Sequence, residues 1–592
     1  MLKRSFLFLG VVLGLSCSSR DLHVGESASL PASSAPSTAS AVNLGERTTH
    51  EGRGTRLIVA TQGKHTTDAA LEIYKSGGNI IDAAVAASFV VSVERPFSTG
   101  LGGGGFMMFR QAETGKVFAI DFRERGPSRS TKTMFLDEKG NVVERKSIDG
   151  PMAVAVPGTV AGLYDIHKKW GKLSWKAVLA PAIRLARDGF DVFPTLQSAL
   201  EARKSVLEKF PTSKQVFLKP DGTPWRVGER LVQTDLASTL EKIAKKGKQA
   251  FYAGPVATAI EKTVRSAGGI LSKADLAGYR VKWRQPVRAK YKEFEIVSMP
   301  PPSSGGVHIV EMLNTVEHDR LVERGVLSAE AVHLTASAMQ RAFVDRARYL
   351  ADSDFVKVPS QGLVSQSYAD RVRSQISETQ FLRSSELGSA SMAIDAWKYE
   401  SSETTNLSLM DKAGNVVVTT QSVNGRMGSG LVAEGTGVLL NNTMDDFSTK
   451  AGASNIYGAI GSDANLPESK KTPLSSMSPT MVLKGSKPVM AVGGAGGTKI
   501  ITCVAQTILN RIEYGMPLYE SLAAVRFHHQ WQPDELLIDK PGLSEEKMSV
   551  LRSMGHLTKV DVVPCVINAA AVEASGFVGV SEPRDYGKSA GL

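Results

Sequence analysis

Two adjacent hydroxyl residues, Thr404 and Thr405, stand where the sequence predicts the start of a β-hairpin. The pattern indicates a strand over 406–410, a turn over 411–415 and a second strand over 416–423. If the turn centres on Ala413, Thr404 lies across from Ser422, and Asn424 shares that face. The sequence therefore predicts a threonine hydroxyl that faces polar partners at the mouth of a hairpin.

The bond between Glu403 and Thr404 gives this threonine a potential chemical role. Cleavage there would leave Thr404 with a free α-amino group beside its own hydroxyl. Such an amine can act as the base that turns the hydroxyl into a nucleophile. A threonine pair that opens a strand also fits ordinary β-propensity, so the pair alone does not decide between the two interpretations.

A glycine run, Gly493–Gly497, is the second feature that could take part in chemistry. Two short strands, 480–483 and 489–492, precede the run, and a helix is predicted over 498–513. Backbone N–H groups at Gly496 and Gly497 would be unpaired at the helix start, which suits a developing oxyanion. Glycine-rich turns also bind phosphates, but the Thr498-Lys499 continuation fits neither dinucleotide-binding nor Walker A spacing.

Charged side chains supply the third feature. Arg123 ends an alternating strand beside Glu124, and a planar guanidinium suits two-pronged capture of a carboxylate. A surface arginine paired with Glu124 is the alternative. The Asp445-Asp446 pair could suggest a metal site or an acid–base dyad. With no histidine or further carboxylate at ligand spacing nearby, we predict no metal site.

The surrounding pattern predicts mixed helices and strands. Helical periodicity covers 67–75 and 79–93, and the second of these segments is apolar on most faces, so it should be buried. Gly102–Gly105 is interpreted as close backbone packing. Strands follow over 106–110 and 116–123, and the stretch from about 155 to 290 is mostly helical. An α/β layered sandwich fits this mixture best.

Bulk properties exclude some classes of partner. The chain has 592 residues, 42% of them hydrophobic and 22% charged, with a net charge of +11. These values are ordinary for a globular protein, and no Lys/Arg run indicates nucleic-acid binding. Besides Cys17, the chain has Cys503 and Cys565; export permits a disulfide between them, but two cysteines are too few for a disulfide framework. We expect Cys503 to be a small buried apolar residue in a helix.

The N-terminus predicts export. Residues 1–17 carry a basic start, an apolar run and small residues, which is typical of an export signal. Cys17 keeps open a lipid anchor, so the protein is expected in a bacterial periplasm, on the outer membrane as a lipoprotein, or secreted. Residues 18–53 are rich in Ser, Ala, Thr and Pro and predict a flexible linker before a folded body that starts near Gly54.

Several motifs, taken together and in order, resemble the γ-glutamyltranspeptidase family from about residue 55 to the C-terminus. They include Thr404-Thr405-Asn406-Leu407-Ser408, Leu440–Ser448, Pro473–Thr480, Gly493–Gly497, Asp82–Ala86, Gly100–Phe106, Asp121-Phe122-Arg123-Glu124 and Pro157-Gly158-Thr159. The resemblance implies a four-layer αββα sandwich of the N-terminal-nucleophile hydrolase type. It also implies autocatalytic cleavage between Glu403 and Thr404, so that a large subunit, 54–403, and a small catalytic subunit, 404–592, form a heterodimer.

The implied activity is cleavage of the γ-glutamyl amide bond of glutathione and related compounds, through an ester on Thr404, without a cofactor. Water or an acceptor amine or peptide would then take the γ-glutamyl group. By resemblance, Ser422 orients the nucleophile, although the family usually has threonine there. Gly496 and Gly497 form the oxyanion site, and Tyr457 resembles a lid over the pocket.

Substrate contacts follow from the same resemblance. Arg123, Ser475 and Ser476 are expected to hold the α-carboxylate of the γ-glutamyl group. Asn424, Asp446 and Thr443 are expected around its α-amino group. Two positions depart from the family pattern: Thr443 stands where Gln or Glu is usual, and Asn406 replaces a common histidine.

Two other functions remain open at this stage. An acylase of the same superfamily, acting on glutaryl side chains of cephalosporins, would need Thr404, Arg123 and the oxyanion glycines but no ammonium partner. A catalytically dead, exported binding protein is the alternative from another class. Asp446 and Asn424 argue against the acylase, whereas Thr443 lends it slight support. The intact set of reactive residues argues against the binding protein.

Overall fold

The computed structural model describes residues 47–388 and 403–592. Two seven-stranded sheets form its centre, and every strand pair within them is antiparallel. Their strands are β1 (Glu51–Gly54), β2 (Leu57–Thr61), β3 (Gly104–Arg110), β4 (Val117–Asp121), β5 (Lys282–Arg284), β6 (Val287–Tyr291), β7 (Phe294–Ser298), β8 (Thr405–Asp411), β9 (Val416–Ser422), β10 (Thr480–Lys484), β11 (Lys487–Ala495), β12 (Val566–Glu573), β13 (Gly576–Val580) and β14 (Lys588–Gly591). The strand order is β1-β13-β12-β11-β10-β7-β6 in the first sheet and β14-β2-β8-β9-β3-β4-β5 in the second.

Helices cover the outer faces of both sheets. The longer ones are α1 (Lys64–Lys75), α2 (Ile80–Glu94), α3 (Thr159–Trp170), α4 (Trp175–Asp188), α5 (Pro194–Leu207), α6 (Thr234–Lys246), α7 (Pro255–Ser266), α8 (Gly305–Val316), α9 (Ala329–Tyr349) and α10 (Lys499–Ile512). Shorter helices span Arg47–His50, Pro211–Phe217, Gln249–Tyr252, Lys273–Ala277, Leu321–Arg324, Ser360–Leu363, Gln366–Arg373, Leu518–Ala523 and Glu545–Ser553. Short strands at the periphery are Phe190–Asp191, Arg230–Leu231, Val432–Ala433, Val438–Leu439, Phe527–His528, Leu536–Asp539 and Thr558–Asp561.

Side-chain alternation along the strands produces the layers. In β2, Ile58 packs between the two sheets, whereas Leu57 and Val59 pack against the helices outside. The inner layer joins residues of both sheets, such as Met108 and Met481. One outer cluster contains α1–α7 and the other contains α8–α10. The four layers are helices, sheet, sheet and helices, so the predicted αββα sandwich is confirmed.

Helix α2 is an element whose burial follows from its local sequence pattern. All fifteen of its residues are buried, as its apolar composition predicts. Its start is fixed by a capping box, in which Asn79 accepts from the N–H of Asp82 at 3.0 Å and the Asp82 carboxylate accepts from the N–H of Asn79 at 2.9 Å. This buried helix packs against β8 and β9, the hairpin that carries Thr404.

The folded body begins earlier than predicted. The linker was expected to reach residue 53, but Arg47–His50 form a helical turn and β1 pairs with β13, where Glu51 lies opposite Val580. The segment has little apolar periodicity because its order comes from pairing with a strand more than five hundred residues away. The predicted export signal, Cys17 and the rest of the linker lie outside the described residues. Within the described ranges, none of the helices combines the length and apolarity that a membrane span needs.

Candidate active site

The β8–β9 hairpin places Thr404 as predicted. Thr405 pairs with Gln421, which brings Thr404 opposite Ser422 one step further on. The turn is closed by Asp411, whose carboxylate accepts from the N–H groups of Ala413 at 3.0 Å and Asn415 at 2.9 Å. Both strands are fully buried, so the position of the hairpin mouth is fixed by the core.

The Thr404 hydroxyl lies between two polar neighbours. Its Oγ is 3.3 Å from the Ser422 Oγ and also hydrogen-bonds to the carbonyl oxygen of Glu403. Ser422 is oriented in turn, because its Oγ accepts from the N–H of Asn424 at 2.8 Å. Thr404 is 4% exposed. The hydroxyl is therefore next to the carbonyl that self-cleavage would attack, and Ser422 can orient it.

The strand-to-helix turn after β11 supplies the second part of the site. Gly496 and Gly497 lie between the end of β11 and the start of α10, with φ of +132° and +56°. A side chain is excluded at both positions: a Cβ on Gly496 would lie 2.3 Å from the Pro564 carbonyl oxygen, and one on Gly497 would lie 2.2 Å from the Tyr457 ring. Gly497 and Thr404 line the same cavity, so an oxyanion formed at Thr404 would face the start of the helix.

This cavity carries opposite charges on its wall. Arg123 is 1% exposed, its guanidinium contacts the Asp446 carboxylate, and its Nη1 is 3.7 Å from Glu124. Burial raises the pKa of the Asp446 carboxyl, and the neighbouring Arg123 opposes that shift. Arg123 is thus not a surface arginine, and the wall offers a cation and an anion side by side. Such a wall matches a group that carries both a carboxylate and an ammonium.

Residues at the cavity include both predicted and unpredicted ones. The lining residues are Arg123, Arg346, Thr404, Asn424, Asp446, Asn455, Tyr457, Ala459, Ser475, Ser476, Met477, Gly497, Thr498 and Ile500. The tyrosine closes one side, because the Tyr457 hydroxyl donates to the Asn424 carbonyl oxygen at 2.8 Å. Seven predicted side chains from distant parts of the sequence therefore surround one space: Arg123, Thr404, Asn424, Asp446, Tyr457, Ser475 and Ser476.

Three polar residues on this wall were not predicted from the sequence: Arg346, Asn455 and Thr498. Arg346, from α9, donates to the hydroxyls of Ser476 and Ser304, both at 3.1 Å, and burial lowers its pKa to about 10. Asn455 donates to Asp446 at 2.9 Å. Arg346 lies in an ordinary helical pattern with other charged residues, so no local signal separates it from a surface arginine.

The two departures from the family pattern are not on the cavity wall. The Thr443 hydroxyl donates to Glu124 at 2.8 Å, away from the cavity, so the structure does not bring it to the expected ammonium position. Asn406 is buried and donates to the Thr419 carbonyl oxygen at 3.0 Å, a contact between strands.

The expectation for Cys503 is wrong in one respect. The residue is fully buried in α10, as predicted, but it forms a disulfide with Cys565, 62 residues away in sequence. The pair forms because Cys565 immediately precedes β12, next to β11 in the sheet and packed against Gly496. The bond therefore links the helix to the segment behind the glycine turn. Among the described residues, no cluster of three or more ligand-type side chains is arranged to hold a metal ion.

Comparisons with known proteins agree with this geometry. The sequence model described as Gamma-glutamyltranspeptidase matches residues 66–592. The chain is 42% identical over 537 residues to the glutathione hydrolase proenzyme of Escherichia coli (strain K12), covering 90% of this chain and 91% of that protein. It is 36% identical to the acylase ACY 1 proenzyme of Pseudomonas sp. (strain SE83), covering 85% of this chain and 87% of that protein.

Two solved structures are similar to this fold. The cephalosporin acylase from Bacillus halodurans superposes with a TM-score of 0.80 at 26% identity, covering 93% of this chain and 98% of that chain. The Helicobacter pylori gamma-glutamyltranspeptidase superposes with a TM-score of 0.54 at 40% identity, covering 55% of this chain and 92% of that chain. The fold is thus similar both to a cephalosporin acylase and to a gamma-glutamyltranspeptidase.

Proposed function

The chain belongs to the gamma-glutamyltranspeptidase family, and from this premise we propose that it is a self-processed γ-glutamyltransferase and glutathione hydrolase. It cleaves the γ-glutamyl amide bond of glutathione and related γ-glutamyl compounds. The γ-glutamyl group passes through an ester on Thr404 to water or to an acceptor amine or peptide. The observation that carries the proposal is the cavity in which Thr404 faces a buried guanidinium and a buried carboxylate.

Self-cleavage is the first step. The Thr404 Oγ attacks the Glu403 carbonyl carbon, the peptide C–N bond breaks, and the Thr404 nitrogen takes up a proton to become the free α-amine. Water then hydrolyses the resulting ester and leaves a carboxylate on Glu403. The contact between the hydroxyl and the Glu403 carbonyl supports this step, because the reacting groups are already adjacent. Residues 404–592 then form the small subunit and remain paired with the large subunit.

Catalysis uses the freed amine as a general base. It accepts the proton of the Thr404 hydroxyl as the oxygen attacks the γ-carbonyl carbon of the substrate. The oxyanion is stabilised by N–H groups at Gly496 and Gly497, and the same proton goes to the leaving amine when the C–N bond breaks. Water or an acceptor amine repeats the sequence in reverse on the ester and releases the γ-glutamyl group. Ser422 keeps the Thr404 hydroxyl oriented throughout.

Recognition of the γ-glutamyl group uses the charged wall. The Arg123 guanidinium binds the α-carboxylate, together with the hydroxyls of Ser475 and Ser476. Asp446 and Asn424 bind the α-ammonium. Arg123 and Asp446 neutralise one another in the structure, and the substrate's two opposite charges would replace that contact. The predicted export signal agrees with an enzyme that meets γ-glutamyl compounds outside the cytoplasm.

A substrate of the acylase alternative would make different contacts with this charged wall. A glutaryl group has the carboxylate but lacks the ammonium, so its binding would leave the buried Asp446 without a cationic partner from the substrate. The experiment compares γ-glutamyl-p-nitroanilide with glutaryl-p-nitroanilide on the purified enzyme. We expect kcat/KM to favour the γ-glutamyl substrate by at least about tenfold, and a preference for the glutaryl substrate would reject the proposal.

The inactive-binding-protein alternative is tested by processing. We expect denaturing gels of the purified protein to show two fragments, and Thr404→Ala to give one uncut chain without turnover. Thr404→Ser is the matched control, because it retains a hydroxyl nucleophile and should still process and react. A wild-type protein that remains a single, inactive chain would support the binding protein instead.

A further inference from the structure

Arg426 is a cationic residue beside the cleavage site that catalysis as described above does not use. It lies in the loop after β9, between Asn424 and Met427, whose φ values of +75° and +57° define a tight backbone path. The loop is fixed on both sides of Arg426: the N–H of Gly425 donates to the Asn442 side chain at 2.7 Å, and the N–H of Met427 donates to a main-chain oxygen at 2.9 Å. The position of the Arg426 backbone therefore does not depend on its own side chain.

The carboxylate of Glu403 covers this guanidinium. The Arg426 Nε donates to the Glu403 Oε1 at 2.6 Å, and the two side chains are 25% and 1% exposed. The other carboxylate oxygen, Oε2, is buried and has no hydrogen-bond partner within the described ranges. Burial raises the pKa of the Glu403 carboxyl, and Arg426 opposes the shift. Glu403 is thus held by one charged contact in a place that is otherwise costly for a carboxylate.

Self-cleavage changes the charge at this place. Hydrolysis of the Glu403–Thr404 bond gives Glu403 a second carboxylate, on its main chain, next to the first. Two carboxylates that share one guanidinium contact are costlier to keep buried than a single carboxylate with that contact. We therefore expect the new C-terminus of the large subunit to leave. The fixed loop then leaves Arg426 without its Glu403 partner, two residues after Asn424 on the cavity wall.

We propose that Arg426, once uncovered by self-cleavage, binds the carboxylate on the leaving-group side of a γ-glutamyl peptide, such as the terminal glycine carboxylate of glutathione. This inference rests on the proposed function and extends it to the second half of the substrate. Arg123 and Asp446 bind the γ-glutamyl half within the cavity. Arg426 is not on that cavity wall; it contacts the side chain of Glu403, the residue before the bond that is cut, so it can serve the half of the substrate that departs. A guanidinium is the side chain best suited to a terminal carboxylate.

The test compares one substrate with its uncharged analogue. Mature enzyme is assayed with glutathione and with glutathione whose glycine carboxylate is a carboxamide, and released glutamate is measured. A partly exposed charge-assisted contact predicts a kcat/KM about tenfold higher for the acid in the wild-type enzyme. In Arg426→Gln the ratio should fall to about one, because the amide side chain cannot form the charged contact. Arg426→Lys keeps the positive charge but lacks the two parallel N–H donors of a guanidinium, so its acid-to-amide ratio of kcat/KM should be about three.

Controls separate this inference from its premise. Arg320→Gln removes an exposed arginine elsewhere and should keep the tenfold ratio. Processing of each variant is checked on denaturing gels, because Arg426 also contacts Glu403 at the cleavage site. The comparison of acid and amide in the wild-type enzyme does not depend on the processing of any variant. Equal kcat/KM for the acid and the amide in the wild type, or a tenfold ratio retained in Arg426→Gln, would overturn the inference. Failure to cleave either substrate would instead reject the proposed function.

Discussion

Replacing Arg123 by lysine tests the charged wall most sharply. Alanine is the less informative change, because it would leave Asp446 and Glu124 buried without the cation that contacts them, and such a loss destabilises proteins by about 3–5 kcal/mol. Lysine keeps a positive charge between the two carboxylates. It loses only the second, parallel N–H donor that a guanidinium offers to a carboxylate.

The size of the effect follows from that lost donor. A hydrogen bond to a charged group contributes about 1.5–3 kcal/mol, so KM for γ-glutamyl-p-nitroanilide should rise by about tenfold to a hundredfold. We expect kcat to change by less than about threefold, because Arg123 does not contact the reacting carbonyl. Release of p-nitroaniline gives both constants, with processing checked on gels and folding checked by thermal melting.

A matched substrate provides the control. In 4-aminobutyryl-p-nitroanilide the α-carboxylate is absent but the amine and the reacting amide remain. Arg123→Lys should leave turnover of this substrate close to the wild-type value, because the altered contact is not made. An unchanged KM for the γ-glutamyl substrate would refute the assignment of Arg123, and so would an equal loss with both substrates.

Three further changes test other parts of the account. Gly497→Ala should lower kcat by about a hundredfold while KM changes little, because the new Cβ meets the Tyr457 ring and displaces the oxyanion donors; steady-state kinetics would show it. Replacing both Cys503 and Cys565 by alanine removes a cross-link across 62 residues and should lower the free energy of unfolding by about 4 kcal/mol, seen as a lower Tm in non-reducing buffer. Burial raises the pKa of Glu311 to about 8 from an ordinary 4.5, so the folded state binds more protons between these values and stability falls as pH rises through that window. A shift of this size corresponds to at most about 5 kcal/mol, and Glu311→Gln should remove most of this pH-dependent loss of stability. Melting curves of the variant from pH 5 to 9 that match the wild type would contradict this expectation.

Features governed by local rules were predictable from the sequence. The position of Thr404 opposite Ser422 follows from the turn and from the period of two in strands. The change from strand to helix at Gly496-Gly497 follows from two elements with clear periodicity on either side. Resemblance to a family then connected these local features and predicted Arg123, Asp446 and the two serines as parts of one site.

Features that depend on distant contacts were not predictable in the same way. Arg346 reaches the cavity only because α9 packs beside the segment that carries Ser476. The Cys503–Cys565 disulfide depends on the pairing of β11 with β12, and order at residues 47–54 depends on pairing with β13. In each case the partner is far away in sequence, and the local pattern contains no signal for it.

The central claim is that the Glu403–Thr404 bond is cut by the chain itself to create the catalytic amine. N-terminal sequencing and intact mass of the small chain from active enzyme test it most directly. We predict a chain that begins Thr-Thr-Asn and whose mass matches residues 404–592, and a Thr404→Ala protein that yields no such chain. An enzyme that turns over γ-glutamyl-p-nitroanilide as a single uncut chain, or whose small chain begins at another residue, would contradict the claim.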